Sequence, residues 1–153
     1  MKNIVKNTMK VEFDSISANE AFARVAVAAF LAQLNPSVEE VADVKTAVSE
    51  AVTNAIIHGY GGEVHKITIY AEVEGKVLTL WIADQGVGIA DIEKAMEPMY
   101  TTKPDIERAG MGFSFMEAFM DELSVTSEPG KGTMVRMSKT IGKGRKAWTT
   151  QSL

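Results

Sequence analysis

A chain of 153 residues, 46% hydrophobic and 24% charged, is long enough for one domain with a sizeable core and too apolar to be disordered. Its net charge of −4 offers no basic footprint for nucleic acid, and the lack of cysteine excludes disulfides and thiolate metal sites, which suits a cytoplasmic setting. The longest clean apolar run, Val25 to Ala32, is too short for a bilayer, and the N-terminal MKNIVKNTMK leads into no apolar signal segment, so no membrane association is expected.

MKVEFDS (9–15) alternates polar and apolar residues and predicts a strand. Ser17 with Glu20 three residues on predicts a capping box for a helix over 18–34. LNPS breaks that helix, and Ser37 with Glu40 predicts the start of a second one, running to about His58 and stopped by Gly59, Gly61 and Gly62. KITIYAEVE and KVLTLWIAD, separated by a short Glu-Gly turn, predict a hairpin. A short helix around 91–97 ends at Pro98, and 98–110 has no periodicity and reads as an exposed loop. GMGFSFMEAFMDEL restarts a helix, and SVTSE, PGKG and TMVRMSK predict a last hairpin. The expectation is one α+β domain over 1–139, with helices on one face of a mixed β-sheet and a frayed tail over 140–153.

Within the second helix, SEAVTNAIIHGY (49–60) carries an unusual polar face. Glu50, Asn54 and His58 fall four residues apart, so they stack along one side, with Ser49 and Thr53 beside them. Exposed helix faces are ordinarily rich in Lys, Arg and Glu. A carboxylate and an amide one turn apart, about 6 Å along the axis, offer instead a proton acceptor and a hard oxygen ligand for Mg²⁺. His58, at the helix end, is expected to serve as a cap or dipole partner.

DQGVGI (84–89) follows a strong strand. Gly86 and Gly88 permit positive φ and close backbone approach to a ligand, and Asp84 places an acceptor at the strand end. A second glycine pair, Gly110 and Gly112, opens a helix whose free N–H groups suit an anion. The loop before it supplies Thr101, Thr102, Lys103 and Arg108, the makings of a phosphate clamp. Each piece alone reads as a turn or a polar loop; together they ask for a nucleotide.

EAVTNAIIHG, DQGVGI and GMGF resemble, in order and interval, the N, G1 and G2 boxes of the GHKL superfamily of ATP-binding domains. The resemblance implies the two-layer Bergerat α/β sandwich, with ATP or ADP between the helical layer and a lid formed by 98–110. It makes Glu50 the general base and Asn54 the Mg²⁺ ligand. Asp84 accepts from the adenine amine, Gly86 and Gly88 line the base pocket, Gly110, Met111 and Gly112 wrap the phosphates, and Thr133 matches the family's threonine near adenine. Arg108, just before the glycines, is the expected γ-phosphate contact. Gln85 departs from the pattern, where an acidic residue is commoner.

Within the superfamily, SEAVTNAIIHGY, TTKP and ERAGMGF resemble the anti-sigma factor serine kinase branch, especially the anti-sigma F class of spore-forming bacilli. That resemblance implies a sporulation protein, a homodimer like its class, that sequesters a sigma factor and phosphorylates a serine on an anti-anti-sigma partner. Two other readings remain at this point. One is a binding module in which ATP only organises a partner surface. The other is a detached histidine kinase ATP domain, although neither His58 nor His65 sits in a dimerising phosphoacceptor helix. Glu20 and Arg24, one turn apart on the otherwise apolar first helix, are the candidate partner-binding residues, as orienting charges for a homodimer or sigma-factor contact.

Overall fold

The structure is a computed structural model that describes residues 6–89, 96 and 112–143. Its elements are β1 (Lys6–Asp14), α1 (Ala18–Leu31) with a 3₁₀ turn at Ala32–Leu34, α2 (Val38–Asn54) with a π turn at Ala55–Gly59, β2 (Lys66–Glu74), β3 (Val77–Asp84), α3 (Gly112–Phe119), β4 (Glu122–Glu128) and β5 (Gly132–Thr140). The helix expected at 91–97 and the loop at 98–110 lie outside the described residues, apart from Met96 in a turn.

The five strands form one sheet in the order β1-β2-β3-β5-β4, with every neighbouring pair antiparallel. This corrects the mixed sheet read from the sequence. Two helices, rather than one, connect β1 to β2, so the chain returns running the opposite way. β4 does run parallel to β3, but β5 sits between them and pairs with both.

Alternation along the strands decides which face is covered. Ile67, Ile69, Ala71 and Val73 of β2, Leu78, Leu80 and Ile82 of β3, and Val135 and Met137 of β5 are buried against the helices. The helical layer contributes Ala23, Val27 and Leu31 from α1, Val44, Val48, Ala51 and Val52 from α2, and Met116 from α3. α2 is the middle helix, packed against α1 on one side and α3 on the other. Its register against the sheet therefore sets where Glu50 and Asn54 lie.

The two predicted capping boxes have different outcomes. At α2 the Ser37 hydroxyl accepts from the Glu40 N–H at 3.1 Å, and the Glu40 carboxylate accepts from the Ser37 N–H at 2.9 Å. At α1, Ser17 makes no side-chain cap, because its backbone is already helical (φ −54°, ψ −35°) rather than extended. Glu20, the other half of that expected box, is engaged by α2 instead. Past position 139, β5 continues to Thr140, Ile141 is buried, and the Gly142 N–H donates to Glu40 Oε2 at 2.8 Å. No helix among the described residues is long and apolar enough to cross a membrane.

Candidate functional site

α2 carries Glu50 and Asn54 one turn apart, both half-buried. The Asn54 amide nitrogen is buried and has no hydrogen-bond partner among the described residues. A buried, unanswered amide costs stability, on the order of 1–3 kcal/mol, and is therefore a feature that asks for a ligand or a water. Directly after Asn54 the helical ladder widens to a π turn, with the Tyr60 N–H donating to the Ala55 carbonyl at 2.9 Å. His58 lies within that turn, at the end of the helical segment, as the sequence led us to expect. Such π turns recur at functional sites, because they re-aim the backbone.

What this one re-aims is Gly59 and Tyr60. The Gly59 carbonyl accepts from the Val87 N–H at 2.9 Å, and a Cβ on Gly86 would stand 2.0 Å from that same oxygen. A Cβ on Gly59 would in turn meet the Asp84 carboxylate at 2.9 Å. The two glycines thus bring the end of α2 against the loop after β3. Tyr60, buried at 7% exposure, places its hydroxyl between two backbone groups, accepting from the Gln85 N–H at 2.7 Å and donating to the Lys66 carbonyl at 2.5 Å. Burial raises the Tyr60 hydroxyl above its ordinary pKa, so it stays protonated and keeps that donor.

Asp84 ends β3, with 7% of its surface exposed. Burial raises its pKa above the usual carboxylate range, while hydrogen bonds from the backbone N–H groups of Gly86 (2.8 Å to Oδ1) and Thr133 act in the opposite direction. A buried acid held by two N–H groups, with no ion pair to a cation among the described residues, is a poor stabiliser of the fold and a suitable acceptor for a ligand's N–H. Thr133 is its cross-strand partner on β5. An open cavity of about 290 Å³ lies at this end of the sheet, lined by Asp84, Gln85, Ser127, Lys131, Gly132 and Thr133 among others.

The far side of the 84–89 loop is held by the β4–β5 hairpin. The Gly130 N–H donates to the Val87 carbonyl at 2.7 Å, and the Ile89 N–H donates to the Ser127 hydroxyl at 2.7 Å. Gly88, at φ +79°, has no room for a Cβ, which would come 2.3 Å from the Glu128 carbonyl. Of Gly86 and Gly88, both of which permit positive φ, only Gly88 adopts it. Both close approaches are to neighbouring chain segments, so these glycines shape the pocket by letting the loop seat between α2 and the hairpin.

Glu20 and Arg24 are partly exposed, at 32% and 33% of their side-chain areas, and their ion pair has further partners. Arg24 Nη1 donates to Glu20 Oε1 and to Ser49 Oγ, each at 2.9 Å. Ser49 Oγ donates to Glu20 Oε1 at 3.0 Å, and Thr53 Oγ1 to Glu20 Oε2 at 2.8 Å. This network ties α1 to the residues adjoining Glu50 and Asn54. Beside it α1 exposes Phe22 and Val25.

The structure therefore joins Asp84, Gly86, Gly88 and Thr133 at one end of the sheet, against Gly59 at the end of the helical segment that carries Glu50 and Asn54. Gly112 begins α3, which packs on α2. Thr101, Thr102, Lys103, Arg108, Gly110 and Met111 lie outside the described residues. Sequence reasoning missed Gly59, Tyr60, Ser127 and Gly132. Gly59 was read only as a helix stop, and Ser127 carried one faint signal, its inward parity in the alternation of β4.

Residues 15–139 match the family model of the histidine kinase-like ATPase domain. An anti-sigma F factor of Thermoanaerobacter is 59% identical over 139 residues, which cover 91% of this chain and 97% of that protein. The chain belongs to the anti-sigma F factor family. A Clostridium beijerinckii anti-sigma F factor is 60% identical over 134 residues (87% of this chain, 94% of that one), and one from Pasteuria penetrans is 54% identical over 142 (92% and 95%). Among solved structures, the RsbU and RsbW domains of a Mycobacterium tuberculosis protein superpose at a TM-score of 0.64. That match has 20% identity and covers 88% of this chain and 32% of that one. The histidine kinase domain of an Erythrobacter litoralis blue-light activated kinase gives 0.54, also at 20% identity, over 72% of this chain and 48% of that one. These two likenesses concern the fold.

Proposed function

We propose that this protein is an ATP-dependent serine kinase of the cytoplasm that binds a sporulation sigma factor and phosphorylates a serine on an anti-anti-sigma partner. The observation that carries the reading is the buried amide of Asn54, without a partner among the described residues and one turn from Glu50, on the helical segment whose end at Gly59 abuts Asp84. The names of the relatives supply the sigma-factor partner.

In the transfer, the serine oxygen bonds to the γ-phosphorus, the bond to the β,γ-bridging oxygen breaks, and ADP leaves. Glu50 takes the serine proton. Asp84 and Thr133 orient the base, and Arg108, Lys103, Thr101 and Thr102, with the backbone of Gly110, Met111 and Gly112, hold the phosphates. The Asn54 side chain would hold a Mg²⁺ that keeps most of its waters through its one hard amide oxygen. When bound with the phosphates, that ion neutralises developing charge. Partner proteins are placed by α1, where Glu20 and Arg24 adjoin the exposed Phe22 and Val25, and the kinase acts as a homodimer.

The test is incubation with γ-labelled ATP, Mg²⁺, sigma factor and anti-anti-sigma protein, followed by identification of the labelled residue. Acid-stable label on a partner serine, lost in Glu50→Gln with sigma binding retained, supports the proposal. No label with intact Glu50 would leave an ATP-organised binding module, and acid-labile label would indicate histidine phosphorylation.

A further inference from the structure

The hydroxyl of Ser127 stands at the centre of three contacts. It receives the Ile89 N–H at 2.7 Å, reaches the Gly132 carbonyl at 2.9 Å, and touches the Thr133 hydroxyl at 2.9 Å. A serine hydroxyl has one proton and two lone pairs. The Ile89 contact uses a lone pair, since only the amide can donate. The Gly132 contact uses the proton, since a carbonyl only accepts. One lone pair remains for the third contact, so Thr133 must be the donor there. With its single proton committed to Ser127, Thr133 has only lone pairs left for the cavity that it lines with Asp84.

We infer that Ser127 is a positioning residue that makes the Thr133 hydroxyl an obligate acceptor and thereby selects a nucleotide base bearing an amine over one bearing a carbonyl. The inference rests on the nucleotide reading of this site and adds to it the source of base selectivity. Asp84, while ionised, is an acceptor only, and Thr133 is its cross-strand partner. An edge made only of acceptors welcomes N–H groups. It meets a carbonyl oxygen with lone pairs against lone pairs, which no rotation of Thr133 relieves while Ser127 holds its proton. Without the Ser127 hydroxyl, Thr133 is free to turn and donate.

ATP and ITP differ at the six-position of the base, amine against carbonyl, and at N1, lone pair against N–H, and serve as the probes. A wild type that prefers ITP, its N1–H answering Thr133, would overturn the inference. Calorimetric dissociation constants for both are measured with the full chain as wild type, Ser127→Ala, Ser127→Thr and Thr133→Val. The wild type prefers ATP. Ser127→Ala lowers the ITP-to-ATP ratio of dissociation constants about tenfold, as expected for one rearranged hydrogen bond. Ser127→Thr keeps the hydroxyl and restores the ratio. Thr133→Val, similar in shape on a strand, weakens ATP and leaves ITP unchanged, and it tests the same point if Ser127→Ala fails to fold. Equal weakening of both nucleotides in Ser127→Ala, or a ratio unmoved in Thr133→Val, would reduce Ser127 to a structural tie and overturn the inference. Equal binding of ATP and ITP by the wild type overturns it too, while sparing the nucleotide reading. Binding of neither nucleotide removes that reading and this inference together.

Discussion

At its N-terminus α2 begins with its capping groups answered: Ser37 and Glu40 exchange hydrogen bonds, and Glu40 also receives the Gly142 N–H from beyond β5. At its C-terminus the same helix leaves the Asn54 amide unanswered, widens into a π turn, and presses Gly59 against a buried acid. The ionisation of the two acids shows the difference. Burial raises the pKa of Glu40, but the hydrogen bonds from Ser37 and Gly142 and the charge of Lys139 outweigh it, and the net shift is downward. For Asp84 burial prevails, and the net shift is upward. One end of the helix is arranged to hold the fold together. The other keeps a buried acid and an amide that has no partner among the described residues, as expected where binding is favoured over stability.

Substitutions at the two ends should therefore separate function from stability. The largest effect is expected at Glu50: Glu50→Gln lowers the rate of phosphoryl transfer on the order of 10²–10⁴-fold, leaving ATP affinity and thermal midpoint near wild type. Single-turnover label transfer and a melting curve on the same sample check both halves. Gly86→Ala comes next. Its Cβ must displace the Gly59 carbonyl, at a cost of about 3 kcal/mol in denaturant titration, with nucleotide binding weakened as the loop lifts from α2. An unchanged midpoint would mean that the contact between helix end and loop is dispensable.

Asp84→Asn should divide the two properties most clearly. ATP affinity falls roughly 10–100-fold through loss of a charged acceptor. Stability at neutral pH rises, because a carboxyl whose folded pKa is raised opposes folding while ionised. That opposition disappears as pH falls through the raised folded value towards the ordinary one. The stability gap between variant and wild type should therefore close on acidification, followed as melting temperature against pH. Glu40 behaves in the reverse sense: its lowered folded pKa contributes stability above its ordinary value, and that contribution is lost on acidification. The smallest effect belongs to Ser37→Ala, which costs about 1 kcal/mol of stability and leaves label transfer unchanged.

How much of this the sequence revealed follows from how local each signal is. The capping box at Ser37 and the β2–β3 hairpin were legible because a few neighbouring residues determine them. Glu50, Asn54, Asp84 and Thr133 were found because their types and order match a family pattern, and helical spacing places the first two on one face. The widened turn at Ala55–Gly59 was not legible, since nothing in AIIHG announces it. The failed cap at Ser17 depended on Ser49 and Thr53, about thirty residues away, which offer Glu20 better partners. Ser127 was out of reach for the same reason, since its meaning comes from Ile89, Gly132 and Thr133 converging on one oxygen.

The central claim is that the C-terminal end of α2 is one wall of an ATP site. The most direct measurement is a titration of the ¹⁵N-labelled chain with Mg²⁺ and ATP. It compares the Asn54 side-chain amide and the backbone amides of Gly86, Val87 and Thr133 with those of Ser37 and Glu40. The account predicts saturable shifts in the first group and still signals in the second. Saturable shifts confined to the second group, or no saturable shift at Asn54 and Thr133, would contradict it.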